Sequence, residues 1–583
     1  MKLFYSILVF LVLSNLSTAQ EFTKVTDANN ELAGQSTLPG YTGVSWIDYD
    51  NDGLLDCFVN SNNLYHNEGD DQFVKINFSP LNIGDGNGNT WGDIDNDGDL
   101  DVIIAATPTK YYRNDGDDIF TPISITEETI DTFNFWSATL GDYNQDGWLD
   151  LALLHPAGFL PFSGPISRSS LLFTNDGDGT FSRVTDTPLD DELAAFTVGS
   201  FTDFDLDGDL DLFVGSGEVG FLSNDHIYIN QLVETDTARL LRLTEGPLAE
   251  DLRDGQNWNW IDYDNDGDLD GFVTNYFGSK TNDLYRNDND TYVKMTVADV
   301  GNIVGQTGLG LCNVWADFDN DGFLDCYVTF DGQKDRFYHN NGDGSFTEVA
   351  NTLNVSGSTR GASAGDYDND GYMDLFVSSA SPNSVGLYHN DGGEHNWVNF
   401  EVNTEQGVAA IGAKVRVNAT INGSSMWQIR EVSSQNSFNG HNSYRTHFGL
   451  GDAAVIDSVE VLWPGGAIDV YTDFSANQFC SFSPGQTDCD VFTSTHNIIT
   501  DETFEVYPNP ANAQMTINIP DVLKQSSRIF LSLTDANGKE ITQLLINNDE
   551  TFSLNVEHIP AGVYTLQLSA GQVKLAKQVL IQH

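Results

Sequence analysis

Between residues 310 and 350 the apolar positions fall into four short runs. "GLCNVWADFD" enters an acidic stretch, "LDCYVTF" leaves it, "DRFYHN" follows, and the turn "NGDG" leads into "SFTEVA". Short runs rich in β-branched and aromatic residues, punctuated by Gly, Asn and Asp, predict strands joined by tight turns. The acidic stretch has the form D-x-[DN]-x-D-G-x-x-D and occurs seven times, with starts 45, 49, 61, 59, 55 and 49 residues apart. Such a period marks a repeat architecture, and a four-stranded unit of about 50 residues fits one blade of a β-propeller.

The chain ends fit the same picture. Units close with strands such as "GTFSRVT" (179–185) and "GSFTEVA" (344–350), whereas the last runs from "GLYHNDGG" into unrelated sequence. The missing strand recurs near the N-terminus as "EFTKVT" (21–26). A ring closed by its first strand joining its last unit explains both facts and removes exposed sheet edges. The expectation is an all-β chain with a seven-bladed propeller over residues 20–395.

Within each acidic loop, side-chain oxygens fall at positions 1, 3, 5 and 9, with Gly at 6. The candidate ligands are Asp48, Asp50, Asp52 and Asp56, then Asp93, Asp95, Asp97 and Asp101. The third and fourth loops supply Asp142, Asn144, Asp146 and Asp150, and Asp203, Asp205, Asp207 and Asp211. The fifth supplies Asp262, Asp264, Asp266 and Asp270, and the sixth Asp317, Asp319, Asp321 and Asp325. The seventh, "DYDNDGYMD", supplies Asp366, Asp368, Asp370 and Asp374. An EF-hand uses the same positions and needs Gly at 6 for its sharp turn. Here strands flank the loop, and position 12 of the first copy is Val59, where an EF-hand carries a bidentate Glu.

Carboxylates this close raise one another's pKa, and a bound cation reverses that. Six loops carry four acidic ligands and the third carries three, 27 carboxylates in all. Asx turns capping hairpins without metal would account for one such loop better than for seven. Mg²⁺ suits them less, since it demands near-octahedral geometry. About seven Ca²⁺ are expected, bound at roughly 10⁻⁵–10⁻³ M without the bidentate Glu. Seven divalent ions would move the formal charge from −61 to −47. The related "NDGDGTF" (175–181) reads as an ordinary hairpin turn.

The charge itself, 25 Lys and Arg against 86 Asp and Glu, argues against nucleic acid or anionic membrane as a partner. With 40% hydrophobic and 11% aromatic residues, the chain nonetheless has the material for packed cores. "MKLFYSILVFLVLSNLSTAQ" reads as a secretory signal peptide over residues 1–19, too short to span a bilayer. No later segment reads as transmembrane. Of five cysteines, Cys480 and Cys489 could pair in an oxidising compartment. Cys57, Cys312 and Cys326 read as buried fillers.

With these loops and strands, the chain resembles the FG-GAP/VCBS-type propeller repeats of integrin α-chains and many secreted bacterial proteins, although the literal Phe-Gly…Gly-Ala-Pro signature is not evident. "NWVNFEV" (396–402), "AIGAKVRV" (410–417), "REVSSQNSFNGHNSYRTHFGLG" (430–451) and "VEVLWPGG" (459–466) resemble the ASPIC/UnbV module of the cartilage acidic protein family. Ala410 stands where that family usually has Gly. "FEVYPNPANAQMTINI" (504–519) and "IPAGVYTLQLSAGQVKLAKQVLIQ" (559–582) are similar to C-terminal sorting domains of the Bacteroidetes type IX secretion system. The resemblance implies a calcium-binding protein handled by the type IX machinery and secreted or held at the outer-membrane surface. The expected layout is a small β-rich module over 396–473, a linker over 474–503, and an Ig-like β-sandwich over 504–583.

A catalytic centre is harder to find. "GASAG" (361–365) matches a nucleophile elbow, which needs a strand-to-helix turn. Ser363 instead occupies a repeat position held elsewhere by Ser45, Thr90, Thr139, Ser200, Asn259 and Val314. His66, His339 and His389 recur in "YHN", where other units place Arg113, Thr174, Ile229 and Arg286. His441 and His447 read as packed structural residues. The insertion "HPAGFLPFSGPISRSS" (155–170) carries Phe159 and Phe162, which with Trp136 read as a packed loop or as a stacking platform. These features predict binding or adhesion to an extracellular polysaccharide or protein, without catalysis. The alternative is a glycan-active hydrolase or lyase, its site in the propeller funnel or at the propeller–module junction.

Overall fold

The computed structural model describes residues 21–583 apart from 28, 36–37, 39, 42, 60–62, 70, 77–86, 117, 126–134, 157–168, 193–194, 218–221, 290, 350–352, 354, 382–384, 493–496, 499–503, 521–528, 536–539, 547–550 and 571–572. The signal segment, Phe159 and Phe162 lie outside the described residues. The chain is all-β, with helices of only a single turn among the described residues.

Each acidic loop joins the first and second strands of an antiparallel unit, and every second strand starts on the ninth-position Asp. In unit 1, Val44–Ile47 pairs with Asp56–Val59, then Asn63–Gly69, then Gln72–Lys75. Units 2 to 5 repeat this four-stranded order. In unit 6 the long strand Asp325–Lys334 runs on to pair with Ser356–Gly365 of unit 7, fusing two sheets. Unit 7 draws its outermost strand from the other end of the chain: Phe22 pairs with Asn390 and Lys24 with Tyr388. The strand read from "EFTKVT" therefore lies where the last unit lacked one.

The cores lie between sheets. Ile47 and Phe58 of unit 1 share a cluster with Trp91 and Val102 of unit 2, and comparable clusters join each unit to the next. The cluster of Trp46, Cys57, Phe73, Tyr367 and Phe376 joins unit 7 back to unit 1. Each first strand also neighbours the next in chain order, and the seventh neighbours the first. Burying two faces of every sheet in this way explains why the first and second strands are apolar with little alternation.

Residues 396–492 form two further four-stranded sheets around Val398, Phe400, Val415, Val417, Phe448 and Phe482. Residues 474–503 were expected to be a linker, but Phe479–Phe482 and Asp490–Phe492 are strands of this module. "FCSF" is too short to stand out among Ser, Gly and Pro, yet it buries Phe479, Cys480 and Phe482. Cys480 and Cys489 are disulfide-bonded, their Cα atoms 5.7 Å apart. Cys57, Cys312 and Cys326 are free and buried. Reducing the bridge is expected to cost about 2–3 kcal/mol, by loop-closure entropy; denaturant titration with and without dithiothreitol measures it. Beyond residue 503, a five-stranded and a three-stranded sheet share a core of Met515, Ile517, Leu531, Leu533, Leu566 and Leu575.

Candidate metal centres beneath a docked module

The backbone of every loop makes two left-handed excursions. Gly at position 6 has φ between 86° and 106°, and position 4 has φ between 55° and 59°. Asn tolerates that region better than most residues, and Asn51, Asn96, Asn265, Asn320 and Asn369 hold five of the seven fourth positions.

These turns wrap backbone N–H groups around the carboxylates. In six loops the first Asp accepts from the N–H groups of positions 5 and 6 at 2.7–3.1 Å. The ninth Asp accepts from the N–H of an Asn at or near the end of the third strand, at 2.7–2.9 Å in all seven units. Position 9 is therefore a strand staple as well as a candidate ligand. Asn144 binds sideways to Asp146, accepting its N–H at 2.9 Å.

Oxygens that remain converge. Asp48, Asp50 and Asp56 bring ligand atoms within 4.8 Å of one another, as do Asp93, Asp95 and Asp101. Oδ1 of Asp95 and Asp264, and Oδ2 of Asp150, Asp211 and Asp325, are buried without a hydrogen-bond partner. Buried acceptors are normally satisfied. Such oxygen clusters could hold a metal ion, and their donor set fits a hard divalent cation.

Electrostatics point the same way. Burial first, then the charges of Asp52, Asp50 and Asp56, push Asp48 well above the usual carboxylate range. Asp317 and Asp366 rise for the same reasons. Burial chiefly pushes Asp101 and Asp150 up to about 8.

The "YHN" histidines prove to face these loops. His66 Nδ1 lies 3.6 Å from Asp50 and 3.2 Å from Asp56, and His339 and His389 repeat the geometry at loops 6 and 7. Burial pulls the His66 pKa down, but the bond to Asp56 and the surrounding carboxylates outweigh it and raise it to about 10. Arg113 fills the place in unit 2, its Nε 3.8 Å from Asp95. Aligning the units by their acidic loops would have exposed this pairing, since the third-strand residue is cationic in five of seven.

Neighbouring loops are tied to one another in sequence. Asn51 donates to Gly98 O at 3.1 Å, Asn96 to Gly147 O at 3.0 Å, and Gln145 to Gly208 O at 2.7 Å. Asn265 reaches Gly322 O, Asn320 reaches Gly371 O, and Asn369 returns to Gly53 O at 3.2 Å. The third-strand Asn residues link the units in the opposite direction, from Asn67 to Tyr367 O and from Asn114 to Tyr49 O, for example. Between units 4 and 5 both links are missing among the described bonds, because position 4 is Leu206 and Asn287 turns to Leu269 O and Tyr292 instead.

The 396–492 module sits on the loop face, and its basic side chains point into it. Arg445 donates to Glu401 at 2.7 Å, to Asn369 of loop 7 at 2.6 Å and to Gly53 O of loop 1 at 2.8 Å. Arg430 is half-buried beside Asp317 and Asp262; desolvation lowers its pKa to about 10 against the pull of both carboxylates. Lys414 Nζ lies 2.8 Å from Asp203 of loop 4. Gly371 has no room for a side chain, because a Cβ there would meet the Trp397 ring at 1.8 Å.

Residues 434–442, "SQNSFNGHN", fill the space where the first strands converge. Ser434 donates to Leu140 O at 2.6 Å, Ser437 to Ala362 O at 2.5 Å, and Asn439 to Tyr41 O at 2.9 Å. Ser363, the elbow candidate, donates to His441 O at 2.7 Å and is wholly buried. His441 and His447 are neutral packing residues, their pKa values lowered to about 4 chiefly by burial. Trp136 is buried against Phe438 and Tyr41, so it offers no stacking surface.

No curated protein matches the chain. Among solved structures, one described as a crystal structure of BBS1N in complex with ARL6DN, soaked with lead, is 11% identical with a TM-score of 0.39, covering 64% of this chain and 98% of its own. A biofilm associated protein, BSP domain, is 9% identical with a TM-score of 0.13, covering 96% of this chain and 99% of its own. Neither likeness is close enough to carry an argument. Family models are more specific. The FG-GAP-like repeat matches residues 48–104, 262–328 and 317–377, and ASPIC and UnbV matches 403–488. The secretion system C-terminal sorting domain matches 505–582 and implies the type IX secretion machinery and a secreted or cell-surface location. Among the described residues no helix is long and apolar enough to cross a membrane. Loops 1, 2, 5, 6 and 7, the module seated on the loop face and the terminal pair of sheets thus coincide with these three matches: the chain carries FG-GAP-like repeats, an ASPIC and UnbV segment and a secretion system C-terminal sorting domain.

Proposed function

We propose that residues 20–395 are a closed seven-bladed propeller clipped by Ca²⁺ at its acidic loops, and that the exported protein binds a polysaccharide or protein ligand without catalysis. Convergent buried carboxylate oxygens without partners, repeated along loops linked at six of the seven junctions, are the observation that carries the calcium reading. FG-GAP repeats often bind calcium. The returning contacts from unit 7 to unit 1 support closure, and the two terminal sheets support an Ig-like sandwich as the sorting domain. The domain bounds follow the sequence reading, with the module extended through residue 492.

Binding is favoured over catalysis because residues 434–442 occupy the place where a funnel site would sit. The rival enzyme retains one specific foothold, a cavity of about 110 Å³ at the junction, lined by Trp258, Trp260, Trp315, Arg430, Glu431 and His447. A glycan array run beside a hydrolase and lyase panel separates the two. Saturable glycan or protein binding with no turnover is expected. Turnover that survives intact loops but is lost in Glu431→Gln would reverse the reading.

A further inference from the structure

Six of the seven acidic loops share one internal wiring, and the fourth departs from it. In loop 4 no N–H of positions 5 or 6 reaches the first carboxylate, and Asp207 N donates to Asp205 instead. Oδ1 of Asp203 is buried and accepts no hydrogen bond. Oδ2 of Asp203 is taken by the Lys414 ammonium at 2.8 Å, with Glu431 Oε1 3.8 Å from the same nitrogen. Lys414 is 2% exposed, and Glu431 is itself anchored by the Thr202 hydroxyl at 2.6 Å. The chain leading to Lys414 is pressed onto this loop, since a Cβ on Gly412 would lie 3.3 Å from Leu210. The same loop carries Leu206 where five others carry Asn, and it borders the junction where both inter-loop links are missing.

We infer that loop 4 holds no calcium and that Lys414, reaching down from the module, is its resident cation. This rests on the calcium reading of the other loops and refines it from seven ions to six. A divalent ion lies about 2.3–2.6 Å from its carboxylate oxygens, so an ammonium already bonded to Asp203 competes for the same oxygen and repels the ion. Buried charges survive when paired and hydrogen-bonded, and Lys414 meets that condition through Asp203 and Glu431. An ammonium supplied by the chain does not dissociate. The attachment of the module at unit 4 is therefore independent of calcium, while the loops that face Arg430 and Arg445 depend on it.

The test counts ions on the full-length mature protein. After exhaustive chelation and reloading with Ca²⁺, native mass spectrometry is expected to give six ions, and anomalous diffraction to give no peak within bonding distance of Asp203. Lys414→Met is expected to raise the count to seven, and Lys414→Arg to leave it at six. Seven ions on the unaltered protein, or a peak at Asp203, would overturn the inference while leaving the calcium reading intact. No bound ions at all would overturn both. The unaltered protein alone decides the matter if Lys414→Met does not fold.

Discussion

Stripping calcium with EDTA is expected to lower the thermal midpoint of the mature protein by tens of degrees. One site at a hundredfold excess of ion over Kd contributes about 2.7 kcal/mol to the folded state, so six sites together reach on the order of 15 kcal/mol. At about 2–4 °C per kcal/mol, that exceeds any single contact in the molecule. Differential scanning calorimetry in calcium and in EDTA measures it directly. The direction with pH follows from the raised carboxylates. Asp101 and Asp150 sit at about 8 and Asp52 at about 7 in the folded chain, whereas unfolded carboxylates titrate near ~3.9. Without ions, the folded state therefore binds protons that the unfolded state has released. That contribution is present in acid and is lost as pH rises through the folded values. In EDTA the midpoint should fall between about pH 5.5 and 8, while the increment given by calcium should grow over the same range.

The second large effect is expected at Arg445. Its guanidinium is almost wholly buried and spans loop 7, loop 1 and Glu401. Arg445→Ala leaves a carboxylate and two loop acceptors facing a cavity, and breaking a buried pair from one side costs about 3–5 kcal/mol. Arg445→Lys keeps the charge but cannot reproduce the three-way fork, so its cost should be smaller but still present. Denaturant titration of both variants in saturating calcium tests this. Equal stability of Arg445→Ala and the unaltered protein would mean that the module does not seal the junction between the first and last units.

Much of this architecture was legible because it repeats. One D-x-D-x-D-G is ambiguous, but seven at a near-constant period specify the hairpins, the position-6 turns and, through the orphan "EFTKVT", the strand that completes unit 7. What escaped the sequence was whatever depends on a neighbour. Asn at position 4 reads as a turn former, and only in three dimensions does Asn369 meet Gly53 O across the junction of last and first units. His66, His339 and His389 read as a repeat position, which they are, but the loops they face are ten or more residues distant in sequence. "SSQNSFNGHN" read only as part of the ASPIC/UnbV resemblance. Its polar groups satisfy the inner strands, a use that no spacing rule predicts. Lys414 stands in an ordinary alternating strand, and nothing local distinguishes it from Arg416, which pairs with Glu460 within the module.

Anomalous diffraction from crystals grown in ample calcium tests the central claim most directly. The account predicts a peak about 2.3–2.6 Å from the carboxylate oxygens in each of the six conventionally wired loops, beginning with Asp48, Asp50 and Asp52. Loops without density there, in a protein that melts at the same temperature in EDTA, would contradict it.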